Sequence, residues 1–285
     1  MADARALVGK PVSRALNEAT MERAERFLAK RKRSPTLFVF SSPDPSAQSY
    51  LRSIRSNASR VGVKIEEFPI KEGAATQTVV ESIEQVGRDG GIDGILVQTP
   101  VVAGVDFAIV AGSVEPSKDV DGISPIQAGL LFQGRRLAMA PSTARACMEI
   151  LDFYKYSLAG VELVVIGRSL VVGRPAALLA LSRNATVTWC HTKTQGLPSV
   201  CKRAEVLISA AGSPGLVNST FVRAGVTILD VGISVDESGT LRGDVDVRSI
   251  SSIAAAYTPV PGGVGPVTTS CLFANVVDAA ERRSG

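Results

Sequence analysis

VVIGRSLVVGRP, residues Val164 to Pro175, brings an apolar β-forming run into Gly167, makes a short turn, and reaches Gly173 at the head of the apolar run AALLALS. That pattern hands a buried strand over to a helix. At the carboxyl edge of a sheet such a junction cradles phosphate: a glycine lets backbone approach the anion, and the free amides opening the next helix point at it. The spacing departs from the usual dinucleotide fingerprint, because Ser169 stands at the second glycine position and Gly173 falls one residue late. On the motif alone, an ordinary strand-to-helix connection competes with a nucleotide site.

The 285-residue chain is 45% hydrophobic and 20% charged, a globular composition long enough for one large domain or two of ordinary size. Its formal net charge is +4, yet only Lys30 to Arg33 (KRKR) forms a basic run. Without interleaved aromatics that run reads as a solvated helix end, and no nucleic-acid partner is expected. Cys147, Cys190, Cys201 and Cys271 stand far apart and His191 is the single histidine, so no metal-ligand spacing and no histidine-based triad can be assembled. Free cysteines and an N-terminus without a signal-like apolar core fit a reducing, cytoplasmic compartment. No stretch approaches the roughly 20 apolar residues of a membrane span.

From Val12 to Arg31, the positions Val12, Leu16, Ala19, Ala24, Phe27 and Leu28 fall on one half of a helical wheel. Strand-like runs at 36–42, 63–70 and 94–100 then alternate with helical patterns at 46–62, 76–90 and 106–114. A second unit begins near Pro141 with the helical segment PSTARACMEILDFYKY, followed by a strand opening at Val161 and strands at 185–191, 205–212 and 226–233. Alternation at this spacing predicts an α/β fold of parallel sheets covered on both faces, with ligands at the carboxyl ends of the strands. A glycine- and proline-rich segment crosses back near the C-terminus, and the last helix returns to the first unit. The domains predicted are 1–140 with 267–285, and 141–266.

Four further segments stand with the glycine turn: SYLRSIRSNASRVG (49–62), DGILVQTP (93–100), PSKDVDGISPIQAGLL (116–131) and TPVPGGVGPVT (258–268). In order and separation they resemble the methylenetetrahydrofolate dehydrogenase/methenyltetrahydrofolate cyclohydrolase family over nearly the whole chain. The resemblance implies a folate-binding catalytic domain facing a Rossmann-like NADP-binding domain across a cleft, a homodimer, and oxidation of 5,10-methylenetetrahydrofolate to 5,10-methenyltetrahydrofolate in one-carbon metabolism. It carries the family's pterin-binding aspartate onto Asp121 and its folate-side tyrosine onto Tyr50.

Read for chemistry, the Asp121 carboxylate suits the paired donors of an aminopyrimidinone edge, although an aspartate before glycine also caps turns. Tyr50 on a helix face serves packing equally well. Gln98 ends the strand GILVQ, where a buried amide needs a ligand or a neighbour. Tyr50, Gln98 and Asp121 form the expected catalytic set. Pro261, Gly262 and Gly263 join them in binding substrate, or simply turn the chain between domains. The expected cofactor set is Gly167, Arg168, Ser169, Gly173, Thr192 and Ile233. The strand 185–191 runs into Thr192 and Lys193 with no acid, which favours NADP over NAD, since a carboxylate there would repel a 2′-phosphate.

One departure bears on the reaction. The family carries a lysine one helical turn after its tyrosine, and here that position is Ile54. At about 100° per residue, positions 50 and 54 share a face, whereas Arg52 and Arg55 lie about 200° and about 140° from Tyr50. Hydride transfer needs positioning and no obligatory side-chain base, but attack of water on the methenyl carbon needs proton management. QTPVV stands for the family's QLPLP, GISP lacks the histidine that usually precedes the proline, and PSTARA stands for PCTPRG. The expected activity is therefore an NADP-dependent dehydrogenase with a weak or absent cyclohydrolase step. The alternatives are the bifunctional enzyme giving 10-formyltetrahydrofolate and a catalytically inactive folate- or nucleotide-binding paralogue.

Overall fold

The computed structural model describes residues 3–235 and 239–284. The chain divides into two compact units, Met1–Ser13 with Thr143–Thr268 and Arg14–Ser142 with Thr269–Gly285. In chain order the first half runs β1 (Arg5–Ala6), α1 (Gly9–Arg31), β2 (Thr36–Ser41), α2 (Pro45–Ala58), β3 (Lys64–Pro69), α3 (Thr76–Arg88), β4 (Gly94–Val97), α4 (Phe107–Ser113) and α5 (Pro125–Phe132). The second half runs α6 (Ser142–Phe153), β5 (Glu162–Ile166), α7 (Gly173–Leu181), β6 (Thr186–Cys190), α8 (Leu197–Cys201), β7 (Val206–Ser209), β8 (Thr227–Asp230), β9 (Ser234–Val235), β10 (Leu241–Arg242), α9 (Val247–Ile250), β11 (Ala256–Tyr257) and α10 (Val264–Arg282).

One unit holds a three-stranded parallel sheet in the order β3-β2-β4. Alternate residues of its central strand point to opposite faces, as period two demands. Leu37 and Val39 join Leu96, Leu51, Ile54 and the α10 residues Leu272, Phe273, Val276 and Val277 in one core. Phe40 joins Ile95, Val97 and the α3 and α4 residues Val79, Val80, Ile83 and Val110 in the other. The apolar runs at 36–42 and 94–100 are thus continuous because both faces are covered. Asp44 starts α2: its Oδ1 accepts from the amides of Ser46 (2.9 Å) and Ala47 (3.2 Å), the usual work of an N-cap.

The other unit holds a six-stranded sheet in the order β1-β11-β8-β7-β5-β6, parallel throughout. Counting from β5, the chain goes outward to β6, returns past β5 to β7, and continues to β8 and β11. The order reverses between β5 and β7, which opens a crevice at their carboxyl ends. β1 comes from the N-terminus, with Arg5 N donating to Ala255 O (2.9 Å) and Leu7 N to Tyr257 O (2.7 Å). Residues read from sequence with the first domain therefore close the sheet of the second unit. Two residues carry no periodicity, so β1, β11 and the antiparallel pair β9-β10 leave no pattern to read. α1 also opens earlier than its apolar pattern. Gly9 N donates to Gly262 O (2.8 Å), and a Cβ at Gly9 would lie 1.9 Å from Gly263 O.

Candidate active site

The KDVDG loop spends its first two polar side chains on itself and its neighbours. Lys118, 1% exposed, donates Nζ to the carbonyls of Val86 (3.3 Å) and Asp89 (2.5 Å) at the end of α3. Asp119 accepts from the amides of Ile123 (3.1 Å) and Ser124 (2.7 Å). Gly122 takes φ +58°, and a Cβ there would lie 2.3 Å from Met139 O, so the turn needs glycine. Asp121 is what remains to be presented. Its Oδ1 accepts from Ser142 Oγ (2.8 Å) and Ser142 N (3.1 Å) at the start of α6, and among the described residues nothing donates to Oδ2. Asn275, fully buried on α10, ties both segments by donating Nδ2 to Val120 O (2.7 Å) and Ala140 O (3.0 Å). Burial, countered by the two Ser142 bonds and assisted by the charge of Asp119, pushes the Asp121 carboxyl up to about 6.

Tyr50 packs against the same apolar cluster as Ile54. Burial first, then the charge of Asp121 and the Cys271 thiol, hold its phenol well above the usual tyrosine range, so it keeps its proton at neutral pH. Asp121 and Tyr50 therefore lie within electrostatic reach of each other. Ile54 is 0% exposed, enclosed with Leu37, Val39, Leu51, Met139 and Phe273. Arg52 and Arg55 are exposed, and Arg55 pairs with Glu67. Lys118 cannot stand in for the missing amine, because its ammonium is committed to the α3 carbonyls. Gln98, 3% exposed, finds neighbours: Oε1 accepts from Ser42 N (3.3 Å) and Nε2 donates to Ala47 O (2.9 Å), joining the end of β4 to the first turn of α2 that leads to Tyr50. The serine of GISP caps α5, its Oγ accepting from Gln127 N (3.2 Å).

On the six-stranded unit, the expected cofactor residues gather at the β5–α7 turn. Gly167 takes φ +119°, and a Cβ there would lie 2.2 Å from Ala210 O, across the β5–β7 crevice. A Cβ on Gly173 would lie 2.2 Å from Gly167 O. Ser169 holds the turn together, since its Oγ accepts from the amides of Val172 (3.2 Å) and Gly173 (3.3 Å) and its carbonyl accepts from Arg174 N (3.1 Å). The amides opening α7, expected to be free for an anion, are thus satisfied by Ser169. Among the described residues, the amides without a protein partner are those of Arg168, Ser169, Leu170 and Val171, in the turn itself. The Arg168 guanidinium is exposed and unpaired among the described residues. Trp189, missed from sequence, donates Nε1 to Gly167 O (2.7 Å).

Thr192 and Lys193 are exposed beyond β6, where Lys193 N donates to His191 Nδ1 (3.1 Å). Ile233 lies past β8, 59% exposed. Asp244, also missed, holds the loop after β7 through Ser209 Oγ (2.9 Å), Ala211 N (2.7 Å) and Ser213 N (2.7 Å). Pro261, Gly262 and Gly263 belong to this same unit, whereas Tyr50, Gln98 and Asp121 belong to the other. Gly262 takes φ +103°, and Gly263 N donates to Pro259 O (2.7 Å). Nothing in the sequence separation of Ser142, Asn275, Trp189 and Asp244 from their partners marks them beforehand.

Residues 7–121 match the tetrahydrofolate dehydrogenase/cyclohydrolase catalytic domain, and residues 141–284 match the NAD(P)-binding domain of the same family. The chain is 40% identical over 283 residues to the bifunctional protein FolD of Nocardia farcinica, covering 99% of this chain and 100% of that protein. It is similar to the crystal structure of the bifunctional FolD methylenetetrahydrofolate dehydrogenase/cyclohydrolase of Campylobacter jejuni, with a TM-score of 0.94, 35% identity, and coverage of 98% and 99% of the two chains. The Trypanosoma brucei enzyme, solved with NADP cofactor and inhibitor, matches with a TM-score of 0.93 at 29% identity over 100% of this chain and 99% of that one. With a strand order, a glycine turn and a matched profile for each half of the chain, this protein belongs to the tetrahydrofolate dehydrogenase/cyclohydrolase family.

Proposed function

We propose that the chain oxidises 5,10-methylenetetrahydrofolate to 5,10-methenyltetrahydrofolate with NADP, and that its cyclohydrolase step is weak or lost. The residues present suit the cofactor. Glycines at 167 and 173 leave no room for side chains, four turn amides and the Arg168 guanidinium are unpaired among the described residues, and no acid directly follows β6. The turn amides are suited to a pyrophosphate, and Arg168 with Thr192 and Lys193 to a 2′-phosphate. NADP, when bound, supplies the hydride acceptor. The protein's own contribution is positional: Asp121 offers Oδ2 to a folate ring, Tyr50 keeps its phenolic proton within electrostatic reach of Asp121, and Gln98 holds α2 against β4.

The observation that carries the dehydrogenase-weighted reading is Ile54, sealed in the apolar core one turn after Tyr50. Among the described residues, no amine stands on that face to relay a proton. A second reading, the bifunctional enzyme, is favoured by the names of the relatives, which are bifunctional proteins. The experiment gives purified protein methylenetetrahydrofolate with NADP or NAD and follows reduced nicotinamide and methenyl absorbance together. Methenyl that accumulates with NADP supports the first reading. Methenyl consumed faster than its spontaneous hydrolysis supports the second, and no turnover with either cofactor excludes both. A cytoplasmic homodimer is the proposed form, the assembly checked by light scattering.

A further inference from the structure

We infer that Ser142 is a positioning residue of the substrate site, filling Asp121 Oδ1 with two donors so that Oδ2 is the one acceptor left for a ligand ring. The inference rests on the proposed role of Asp121 in binding the folate ring. A carboxylate offers about four acceptor directions, two on each oxygen. Ser142 takes both on Oδ1, with its hydroxyl at 2.8 Å and its amide at 3.1 Å. The side-on grip of two parallel hydrogen bonds, one to each oxygen, is therefore closed, and a ring donor meets Oδ2 alone.

The arrangement is built from both ends. Ser142 opens α6, whose first amides have no partner inside the helix and whose dipole favours a carboxylate there. Asn275 donates to the carbonyls of Val120, one residue before Asp121, and Ala140, two residues before Ser142, which ties the two segments to each other. The family pattern PCTPRG has cysteine where this chain has serine, and a thiol is a weaker and longer donor than a hydroxyl.

The same contact acts on the charge of Asp121. The groups acting on it are Ser142 from α6 and Asp119 from its own loop, and its own charge in turn acts on the Tyr50 phenol of α2, as does the Cys271 thiol of α10. Burial and Asp119 disfavour the carboxylate, and the two Ser142 bonds are what favour it. Removing the hydroxyl should let the Asp121 titration rise, so that an ionised acceptor is lost sooner as pH falls.

The test uses the full chain and the variants Ser142→Ala, Ser142→Cys and Ser142→Thr. Carbon-13 NMR of labelled aspartate carboxyls, assigned with Asp121→Asn, reads the Asp121 titration without ligand. It should rise by about one pH unit in Ser142→Ala, less in Ser142→Cys, and return to the parent value in Ser142→Thr. With NADP saturating, KM for methylenetetrahydrofolate should rise several-fold in Ser142→Ala below neutral pH while kcat changes little. An unmoved Asp121 titration in a folded Ser142→Ala protein overturns the assignment, as does an equal shift in Ser142→Thr. Should the alanine variant not fold, the near-isosteric cysteine variant carries the same test. Asp121→Asn with unchanged KM would overturn the ring-binding role itself, whereas a large rise there beside an unmoved titration in Ser142→Ala overturns the role of Ser142 alone.

Discussion

Arg168 and Ile54 are the two side chains on which cofactor choice and reaction outcome turn. The Arg168 guanidinium has no protein partner among the described residues, so its charge is available to a ligand. A charge-assisted hydrogen bond contributes ~1.5 to 3 kcal/mol, so Arg168→Ala should weaken NADP about tenfold or more and spare NAD. Parallel titrations with both cofactors check this, and equal losses would refute the 2′-phosphate assignment. Ile54 was placed by helical spacing on the face of Tyr50, and both do pack against one cluster. Spacing did not show how tightly that face is enclosed. Ile54→Lys would bury an amine among Leu37, Val39, Leu51 and Phe273, at a cost of ~3 to 5 kcal/mol for an unpaired buried charge. Denaturant unfolding should register that loss. In protein that stays folded, burial pulls the amine pKa down, and methenyl hydrolysis should gain toward the lower end of the ~10²- to 10⁴-fold range of general acid-base catalysis.

Among the elements, the β5–α7 turn is the most finely specified, because each glycine in it meets backbone. Gly173→Ala would set a methyl group 2.2 Å from Gly167 O, which α7 can relieve only by moving off β5. NADP binding should fall below detection while the far-ultraviolet spectrum stays close to that of the parent. Trp189 is the single tryptophan and donates to that same carbonyl, so its emission reports the turn directly. Saturating NADP should change the emission of the parent, and Gly173→Ala should shift it before any cofactor is added. An emission spectrum indifferent to both would separate Trp189 from the site. Strand, turn glycine and helix were all legible here from apolar runs broken at Gly167 and Gly173. The use of the amides was not, since a serine at 169 could equally have faced solvent, and only the folded turn brings its Oγ to Val172 and Gly173.

Across the whole molecule, stability depends on buried acids whose partners come from distant segments. Asp230 closes β8 by accepting from the amides of Gly232 (3.1 Å), Asp244 (2.9 Å) and Val245 (3.0 Å). Burial, with the charge of Asp244 added, outweighs those bonds and pushes its carboxyl up to about 6 from an ordinary 3.8. Such a group binds its proton more tightly folded than unfolded. Its contribution is therefore fully present below about pH 4 and is lost as pH rises through about 6. The stability difference between the parent and Asp230→Asn should narrow from about pH 4 to about pH 7, read as midpoints of urea unfolding; a difference that widens would contradict the raised value. By itself the sequence determined the α/β class, the parallel strands, the glycine turn and the apolar residue at position 54. Each of these is written in near neighbours, where hydrophobic period and glycine geometry act over a few residues. The tertiary structure alone decided that β1 closes the six-stranded sheet, that Ser142 holds Asp121, that Asn275 ties their two loops and that Asp244 holds the loop after β7. These pairings join residues far apart in the chain through two or three directional hydrogen bonds each, which leave no periodic trace and exist only once the cores have brought the partners within about 3 Å.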